Sequence, residues 1–284
     1  MNILTYDIED WFHLLDVPGV ESARSWDKFE SRISENVDTL LEITLKHGHS
    51  ATFFCLGWVA ERYPDIIRRI DSYGFEIASH SHLHSLVYKQ NPSEFKAETL
   101  RSIRTIEDVI GKRVRGYRAP GFSITPSENW AFDVLSEIGV EYDCSVFPAS
   151  RGHGGFSSFG YGIPTVIETG SGVLREFPIS LARFCGRRIV FSGGGYFRLL
   201  PYTVVQALTK RAGYTMTYFH PRDIDPGQPV LDIGLSRRFK SYVGLSRAKD
   251  KLDRWLADNR FIDIATAEAE TDWSLAPKFT THGR

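Results

Sequence analysis

Three of the nine histidines of the chain fall within five residues, between His80 and His84. His80 and His84 are four residues apart, and on a helical turn that spacing would place both rings on one side. His82 would then point elsewhere. Two imidazoles and one carboxylate leave coordination positions open for water and substrate, as in hydrolytic metal sites. The segment therefore predicts a catalytic metal site rather than a closed structural one.

The carboxylates that could complete such a site follow the first apolar segment of the chain. We expect Asp7 to be a general base that takes a proton from water. The third metal ligand must be a second carboxylate, and Glu9 and Asp10 compete for that role. Glu9 would share the side of Asp7 if the strand continues, and Asp10 would do so if the chain turns after Ile8. We slightly favour Asp10.

Two basic side chains at later strand ends fit the remaining catalytic roles. His220 follows an apolar segment, and its imidazole could protonate a leaving amine from the side opposite the base. Arg118 ends another strand, and we expect its guanidinium to orient the catalytic carboxylate.

Further residues around these positions are expected to shape the cleft. Pro120, Gly121 and Phe122 form a rigid turn that would line it. Asp143, together with Ser145, could hold Arg118 or His220 in place. The predicted substrate-binding set is Pro120, Gly121, Phe122, Asp143 and Tyr218.

The elements that must position these residues alternate regularly over the first 145 residues. Apolar, β-rich segments predict strands over 2–6, 51–56, 75–78, 114–118 and 140–145. Helical spacing predicts helices over 26–47, 64–73, 93–110 and 127–138. The alternation predicts a parallel β/α architecture. Barrel enzymes carry catalytic residues at the carboxyl ends of such strands, where these candidates lie.

The second half of the chain differs in composition and in its predicted elements. Glycine is dense over 147–196, which predicts loops and short strands, including one strand over 174–179. A helix is expected over 201–212, a last strand over 214–219 and a surface helix over 246–258. We predict a single domain over 1–270 and a disordered tail over 271–284.

Composition limits the classes of function. The 284 residues carry 34 basic and 35 acidic side chains, and the net charge of −1 gives no reason to expect a nucleic-acid partner. No long basic run suggests a membrane surface, and no apolar stretch is long enough for a membrane span. The amino terminus lacks the pattern of a secretion signal, so we expect a cytoplasmic protein. Three cysteines at long spacings imply no disulfide framework, and Cys55 and Cys144 should be buried.

Five segments of the chain together resemble the motifs of the polysaccharide deacetylases, the NodB homology domain of carbohydrate esterase family four. They occur in the family order and are Thr5-Tyr6-Asp7…Asp10, His80-Ser81-His82-Leu83-His84, Arg118-Ala119-Pro120-Gly121, Asp143-Cys144-Ser145 and Tyr218-Phe219-His220. Flanking segments are similar to a subgroup associated with bacterial exopolysaccharide or surface-glycan loci.

The resemblance implies a distorted (β/α) barrel, often seven-stranded, that hydrolyses the N-acetyl group of an amino sugar. It implies one divalent metal held as His-His-Asp, commonly Zn²⁺, with Co²⁺, Ni²⁺ or Mn²⁺ as alternatives. By position, Asp7 matches the base, His80 and His84 the metal ligands, His220 the acid, and Arg118 the arginine on the base. The family has adjacent aspartates where this chain has Asp7-Ile8, which leaves the third ligand open.

Two other functions remain as hypotheses. Relatives of this fold open cyclic imides or ureides, sometimes without a metal. A glycan-binding protein with a degenerate site is the non-enzymatic alternative, and the presence of every predicted catalytic residue argues against it.

Overall fold

The main sheet is mostly parallel and delivers its strand ends to one edge, as seen in a computed structural model that describes residues 1–17, 19–20, 22–150, 154–184 and 187–281. The strands are β1 (Asn2–Ile3), β2 (Thr5–Ile8), β3 (Thr52–Cys55), β4 (Glu76–Ser79), β5 (Gly116–Tyr117), β6 (Tyr142–Asp143), β7 (Thr165–Thr169), β8 (Gly172–Glu176), β9 (Ala182–Phe184), β10 (Arg187–Ile189), β11 (Thr215–Met216) and β12 (Lys278–Thr280). The helices are α1 (Ala23–Trp26), α2 (Ile33–Lys46), α3 (Gly57–Arg62), α4 (Pro64–Ser72), α5 (Pro92–Ile110), α6 (Trp130–Glu137), α7 (Gly194–Leu199), α8 (Tyr202–Arg211), α9 (Leu235–Tyr242), α10 (Ala248–Asp258) and α11 (Ile264–Glu270).

The order of strands in the main sheet is β12-β7-β8-β6-β5-β4-β3-β2, and the β7–β8 pair is antiparallel. On the far side of β2, the chain after β11 continues the parallel arrangement. There the amide of Asp7 donates to the carbonyl of Phe219 at 2.8 Å, and the amide of Phe219 donates to Thr5 at 3.2 Å. The segment that leads into His220 is thus the neighbour of the segment that leads into Asp7.

Apolar periodicity explains why these segments pack as they do. Strand β3 is buried at every position, as expected for a parallel strand covered on both faces. Helix α2 buries Ile33, Val37, Leu40 and Leu41, which fall on one helical face. The predicted α/β class is confirmed. The predicted count of seven strands differs from the eight of the main sheet, to which the antiparallel β7 and the edge strand β12 contribute.

Several predicted elements are wrong in detail. The helix expected over 26–47 begins only at Ile33, because the chain before α2 turns toward Asp10. The carboxylate of Asp10 accepts hydrogen bonds there from the Ser31 hydroxyl at 2.6 Å and the Arg32 amide at 3.1 Å. Helices α1, α3, α7, α9 and α11 were not predicted.

The predicted disordered tail is wrong for residues 278–280. They form β12, which pairs in parallel with β7, so that Phe279 lies opposite Ile167. Residues 282–284 lie outside the described residues.

Two expectations from composition can be compared with the structure. Cys55 and Cys144 are buried as predicted, and Cys185 lies outside the described residues. Within the described ranges, no helix has both the length and the apolar character needed to cross a bilayer.

The approach of β5 to β6 predicts a stability effect at Gly116. A methyl group there would overlap the buried ring of Tyr142, so Gly116→Ala should lower the free energy of unfolding by about 1–3 kcal/mol. Urea unfolding measures the change. Gly213→Ala is the matched control, because a methyl group at Gly213 meets no atom within 4 Å and should change stability by less than about 0.5 kcal/mol. Equal midpoints for the two variants would contradict this packing.

Candidate active site

Three side chains able to ligate a metal converge at the carboxyl edge of the sheet. Glu9 comes directly after β2 and His80 directly after β4, and these two strands flank β3 in parallel. His84 lies four residues further along. One ligand atom from each residue lies within 4.8 Å of the others, and all three residues are buried.

The histidine segment is a loop and not the helical turn that the spacing suggested. Ser81 and His84 have left-handed backbone conformations, with φ of 68° and 55°. Such conformations cost about 1–3 kcal/mol each in non-glycine residues. The amide of His84 donates to the hydroxyl of Ser81 at 3.1 Å, and the rings of His80 and His84 come within 5.3 Å of each other. His82 points elsewhere, as predicted, with its ring 3.4 Å from Glu61.

The tautomer of His80 is fixed by a backbone partner. Its Nδ1 lies 2.8 Å from the carbonyl oxygen of Arg118, which can only accept, so Nδ1 carries the proton and Nε2 keeps its lone pair. Burial lowers the pKa of His80 to about 4. The ring is therefore neutral near pH 7, which is the form that binds metals.

The surroundings of Glu9 fit a cation. Its Oε2 is buried without a hydrogen-bond partner, although His84 Nε2 lies only 2.7 Å away. Glu9 Oε2 and His84 Nε2 are thus close together without forming a hydrogen bond, as expected for two atoms that ligate the same ion. Burial raises the pKa of the carboxyl, but the charges of His84 and His220 outweigh it and hold that pKa below its usual range. An ionised carboxylate near the neutral ring of His80 suits a divalent metal.

The preference for Asp10 as third ligand is corrected. Its carboxylate points away from the histidines and accepts hydrogen bonds from the amide of Trp11 at 2.8 Å and from the loop before α2. Strand β2 ends at Ile8, and the amide of Glu9 donates back to the carbonyl of Asp7 at 3.1 Å. This local turn leaves Glu9 beside the histidines, while Asp10 is bound to the loop before α2.

Asp7 and Arg118 form a buried ion pair next to this cluster. The Arg118 Nη1 donates to Asp7 Oδ1 at 2.6 Å and to the hydroxyl of Thr5 at 2.8 Å, and its guanidinium lies 4.0 Å from the ring of Phe54. Burial alone would lower the pKa of Arg118, but Asp7 raises it, so the guanidinium stays charged. Arg118 therefore contacts Asp7, the residue predicted to be the base, as expected.

His220 faces both carboxylates. Its Nε2 lies 3.7 Å from Asp7 Oδ2 and 3.4 Å from Glu9 Oε1, and its Nδ1 lies 2.8 Å from Asp223 Oδ2. Burial lowers the pKa of His220, but Asp223 and Glu9 more than offset this and raise it to about 9. Its side chain is 21 % exposed, against 2 % for Asp7, so His220 stands on the open side of the site.

The side chain of Asp143 does not contact Arg118 or His220, the two residues it was predicted to hold. Its carboxylate accepts from the hydroxyl of Ser145 at 2.6 Å, and that hydroxyl accepts from the amide of Ala119 at 2.8 Å. Asp143 is fully buried, so we correct its assignment to the substrate-binding set. It supports the turn that begins at Pro120.

The rest of the predicted substrate-binding set lies close together. Gly121 and Phe122 have φ of 61° and 53°, which turns the chain sharply after Pro120. The Phe122 ring contacts the Tyr218 ring edge-on at 5.2 Å, and both rings are largely buried. They form one wall next to His220, whose ring is 6.3 Å from that of Tyr218.

Sequence reasoning missed two residues of this region. Asp223 has a local signal, since it lies three residues after His220 and accepts from its amide at 3.0 Å, as in a capping box. His13 is buried with its ring 6.4 Å from that of His84. Its Nδ1 accepts from the amide of Asp10 at 2.9 Å, while its Nε2 has no partner among the described residues.

Together these groups place a buried carboxylate, an imidazole and a cluster of possible metal ligands within a few ångströms. Such a combination can activate water, stabilise a developing oxyanion and protonate a leaving group. The arrangement suits the hydrolysis of an amide or an ester.

Comparisons with known proteins agree with this chemistry. The polysaccharide deacetylase family model matches residues 22–142, and a domain family of unknown function, DUF3473, matches residues 144–268. The chain is 29 % identical over 116 residues to a peptidoglycan-N-acetylglucosamine deacetylase from Bacillus cereus, a match to 37 % of this chain and 42 % of that protein. It is 32 % identical over 98 residues to a chitooligosaccharide deacetylase from a Bradyrhizobium species, a match to 34 % of this chain and 42 % of that protein. The chain thus spans less than half the length of either relative.

A solved structure supports the fold. A Mycobacterium smegmatis protein assigned to the polysaccharide deacetylases superposes with a TM-score of 0.64 at 23 % identity. The superposition covers 99 % of this chain and 93 % of that chain.

The Asp223 contact predicts the titration of His220. In metal-free protein, Asp223→Asn should bring the pKa of His220 down from about 9 toward its ordinary 6.5, because a neutral amide no longer favours the charged ring. NMR titration of the ring measures it. Asp225→Asn is the control, since Asp225 pairs with Arg32 instead.

The same contact has a consequence for stability. Because the pKa of His220 is higher in the folded chain, its pairing stabilises the fold fully below pH 6.5 and is lost as the pH rises through about 9. An unchanged titration in the Asp223→Asn variant would exclude Asp223 as the cause.

Proposed function

We propose that the chain, which matches the polysaccharide deacetylase family model over residues 22–142, removes the N-acetyl group from an amino sugar of a bacterial surface glycan or exopolysaccharide, or of a biosynthetic precursor, releasing acetate. The observation that carries the proposal is the convergence of Asp7, His220 and the Glu9–His80–His84 cluster at one sheet edge. A base, an acid and a ligand set within contact distance are what amide hydrolysis needs.

Glu9, His80 and His84 would hold one divalent cation, which we take to be Zn²⁺. The cation would supply Lewis acidity to the acetyl carbonyl and lower the pKa of water from about 15.7 toward 7. The unpartnered oxygen of Glu9 and the neutral ring of His80 support this assignment.

The chain's own residues then move the protons. Asp7 takes the proton of the attacking water, and Arg118 supplies the fixed positive charge that holds the Asp7 carboxylate in place. His220 gives its Nε2 proton to the sugar nitrogen as the C–N bond breaks. Asp223 keeps the ring protonated and oriented for that step.

The substrate class follows from two sources. The named relatives act on peptidoglycan N-acetylglucosamine and on chitooligosaccharide, which supports an N-acetylglucosamine-type sugar. The flanking sequence segments favour an exopolysaccharide or surface glycan. The wall formed by Phe122 and Tyr218 would give the acetyl methyl group or the sugar ring an apolar surface.

Replacing the base tests the mechanism. Asp7→Asn should lower acetate release from chitooligosaccharide by at least about 100-fold, because the amide cannot take the proton. Zinc affinity should remain close to that of the wild type, since Asp7 is not in the ligand cluster. Near wild-type turnover in a folded variant would show that another group is the base.

A matched pair of isosteric variants tests the ligand set. Glu9→Gln should weaken zinc binding by more than about 100-fold, since even outer-shell partners of ligands change affinity 10–100-fold. Asp10→Asn should weaken it less than about tenfold. Competition with a chromophoric chelator measures both affinities.

Removal of the cation adds a second readout. EDTA treatment should abolish acetate release, and zinc or cobalt should restore it. If Asp10→Asn lost more zinc affinity than Glu9→Gln, Asp10 would be the third ligand. Full activity after chelation would favour the metal-free hydrolase alternative.

A further inference from the structure

Helix α9 presents its large apolar side chains to solvent instead of to the core. Leu235 is 85 % exposed and Phe239 is 57 % exposed, and their i, i+4 spacing puts them on one face. None of the residues of α9 is buried. Two side chains of α9 point inward: Arg237 donates to the backbone carbonyls of Leu15 and Asp16, and the hydroxyl of Tyr242 accepts from the amide of Leu231 at 3.0 Å.

The charge on this helix is mostly positive. Helix α9 itself carries three basic and no acidic side chains, in a chain whose net charge is −1, and the acidic residues Asp232 and Asp250 lie beyond its two ends. Arg238 and Lys240 are exposed and flank Phe239, and Arg247 and Lys249 are exposed just beyond the helix. The sequence shows no continuous basic run here, so the feature becomes visible only when exposure is known.

The neighbouring helix α7 extends the apolar region. Its Tyr196 and Leu199 are 49 % and 54 % exposed. The two helices are joined by Arg198, which donates to the carbonyl oxygens of Lys240 and Ser241 at 3.2 and 3.0 Å.

This surface is connected to the catalytic groups. Arg198 Nε lies 3.5 Å from Asp223 Oδ1, and Asp223 holds the ring of His220. The carbonyls bound by Arg237 belong to the segment that follows Glu9 and Asp10. Both helices therefore stand at the rim of the site.

We propose that α9, together with Tyr196 and Leu199, docks the protein on a membrane surface rich in anionic lipid. An exposed apolar helix face that carries basic and no acidic side chains matches the boundary between acyl chains and anionic headgroups. Resting on the proposed function, this places the site at a membrane and makes a membrane-attached glycan its substrate. A neutral glycan would leave the positive charge of α9 unexplained, and a second copy of α9 would bring like charges together.

Vesicle flotation of the full chain tests the proposal. The protein should float with vesicles rich in phosphatidylglycerol and remain in solution with pure phosphatidylcholine. Arg238→Gln combined with Lys240→Gln should weaken binding about 25-fold, at roughly fivefold for each basic residue near the surface. Leu235→Ser combined with Phe239→Ser should weaken it at least about tenfold.

The control is Val173→Ser combined with Leu275→Ser, two exposed apolar residues elsewhere in the chain, which should leave flotation unchanged. Absence of wild-type flotation, equal binding to phosphatidylcholine, or equal loss in the control would overturn the proposal. Sedimentation provides a further test. If the wild type were a dimer and the variant with both Leu235→Ser and Phe239→Ser a monomer, a second copy would cover the face, and the proposal would be overturned.

Hydrolysis of water-soluble chitooligosaccharide separates this proposal from the proposed function. The four α9 substitutions should leave that rate unchanged, because none lies in the site. Deacetylation without flotation would contradict membrane docking and leave the proposed function standing. Flotation without deacetylation would contradict the proposed function and leave membrane docking standing.

Discussion

The site depends on the buried Arg118, which bonds to the ends of two strands at once. Its amide donates to the carbonyl of Ser79 at 2.9 Å, its carbonyl accepts the Nδ1 proton of His80, and its side chain donates to Asp7 and Thr5. Burying a guanidinium is costly unless it is paired and hydrogen-bonded. Leaving either partner of such a pair alone costs about 3–5 kcal/mol. The base and the first ligand are therefore fixed relative to each other by one residue.

Charge balance explains why this part of the protein tolerates so many buried acids. Arg118 offsets Asp7, and Asp223 is offset by His220 and by the nearby Arg198. Glu9 has only imidazoles for neighbours, and one of its oxygens has no hydrogen-bond donor. A buried charge of this kind normally coordinates a metal or forms a pair. His220 offsets part of the charge of Glu9, and a bound cation would offset the rest.

Much of this could be predicted from sequence, because strand ends and short motifs are local properties. The motifs identified Asp7, Arg118 and His220, and the parallel sheet brings them together as expected. The choice between Glu9 and Asp10 failed because the side on which each carboxylate lies is not set by the local chain direction alone. The distant loop before α2 binds the Asp10 carboxylate through Ser31 and the amide of Arg32. Helix α9 was not predicted because its apolar residues face solvent. Apolar periodicity indicates a helix when one face packs on the core, and α9 has no such face.

The acid differs from the base in how it is positioned, and this difference has a consequence. Asp7 depends on contacts between strands, whereas His220 is held by Asp223 within a single short turn. That turn packs against α2, α7 and α10 rather than on the sheet alone. Arg198 connects it to the carbonyl end of α9. The proposed proton donor is therefore tied to both exposed helices through Asp223 and Arg198, while Arg237 of α9 holds the segment that follows the proposed ligand Glu9.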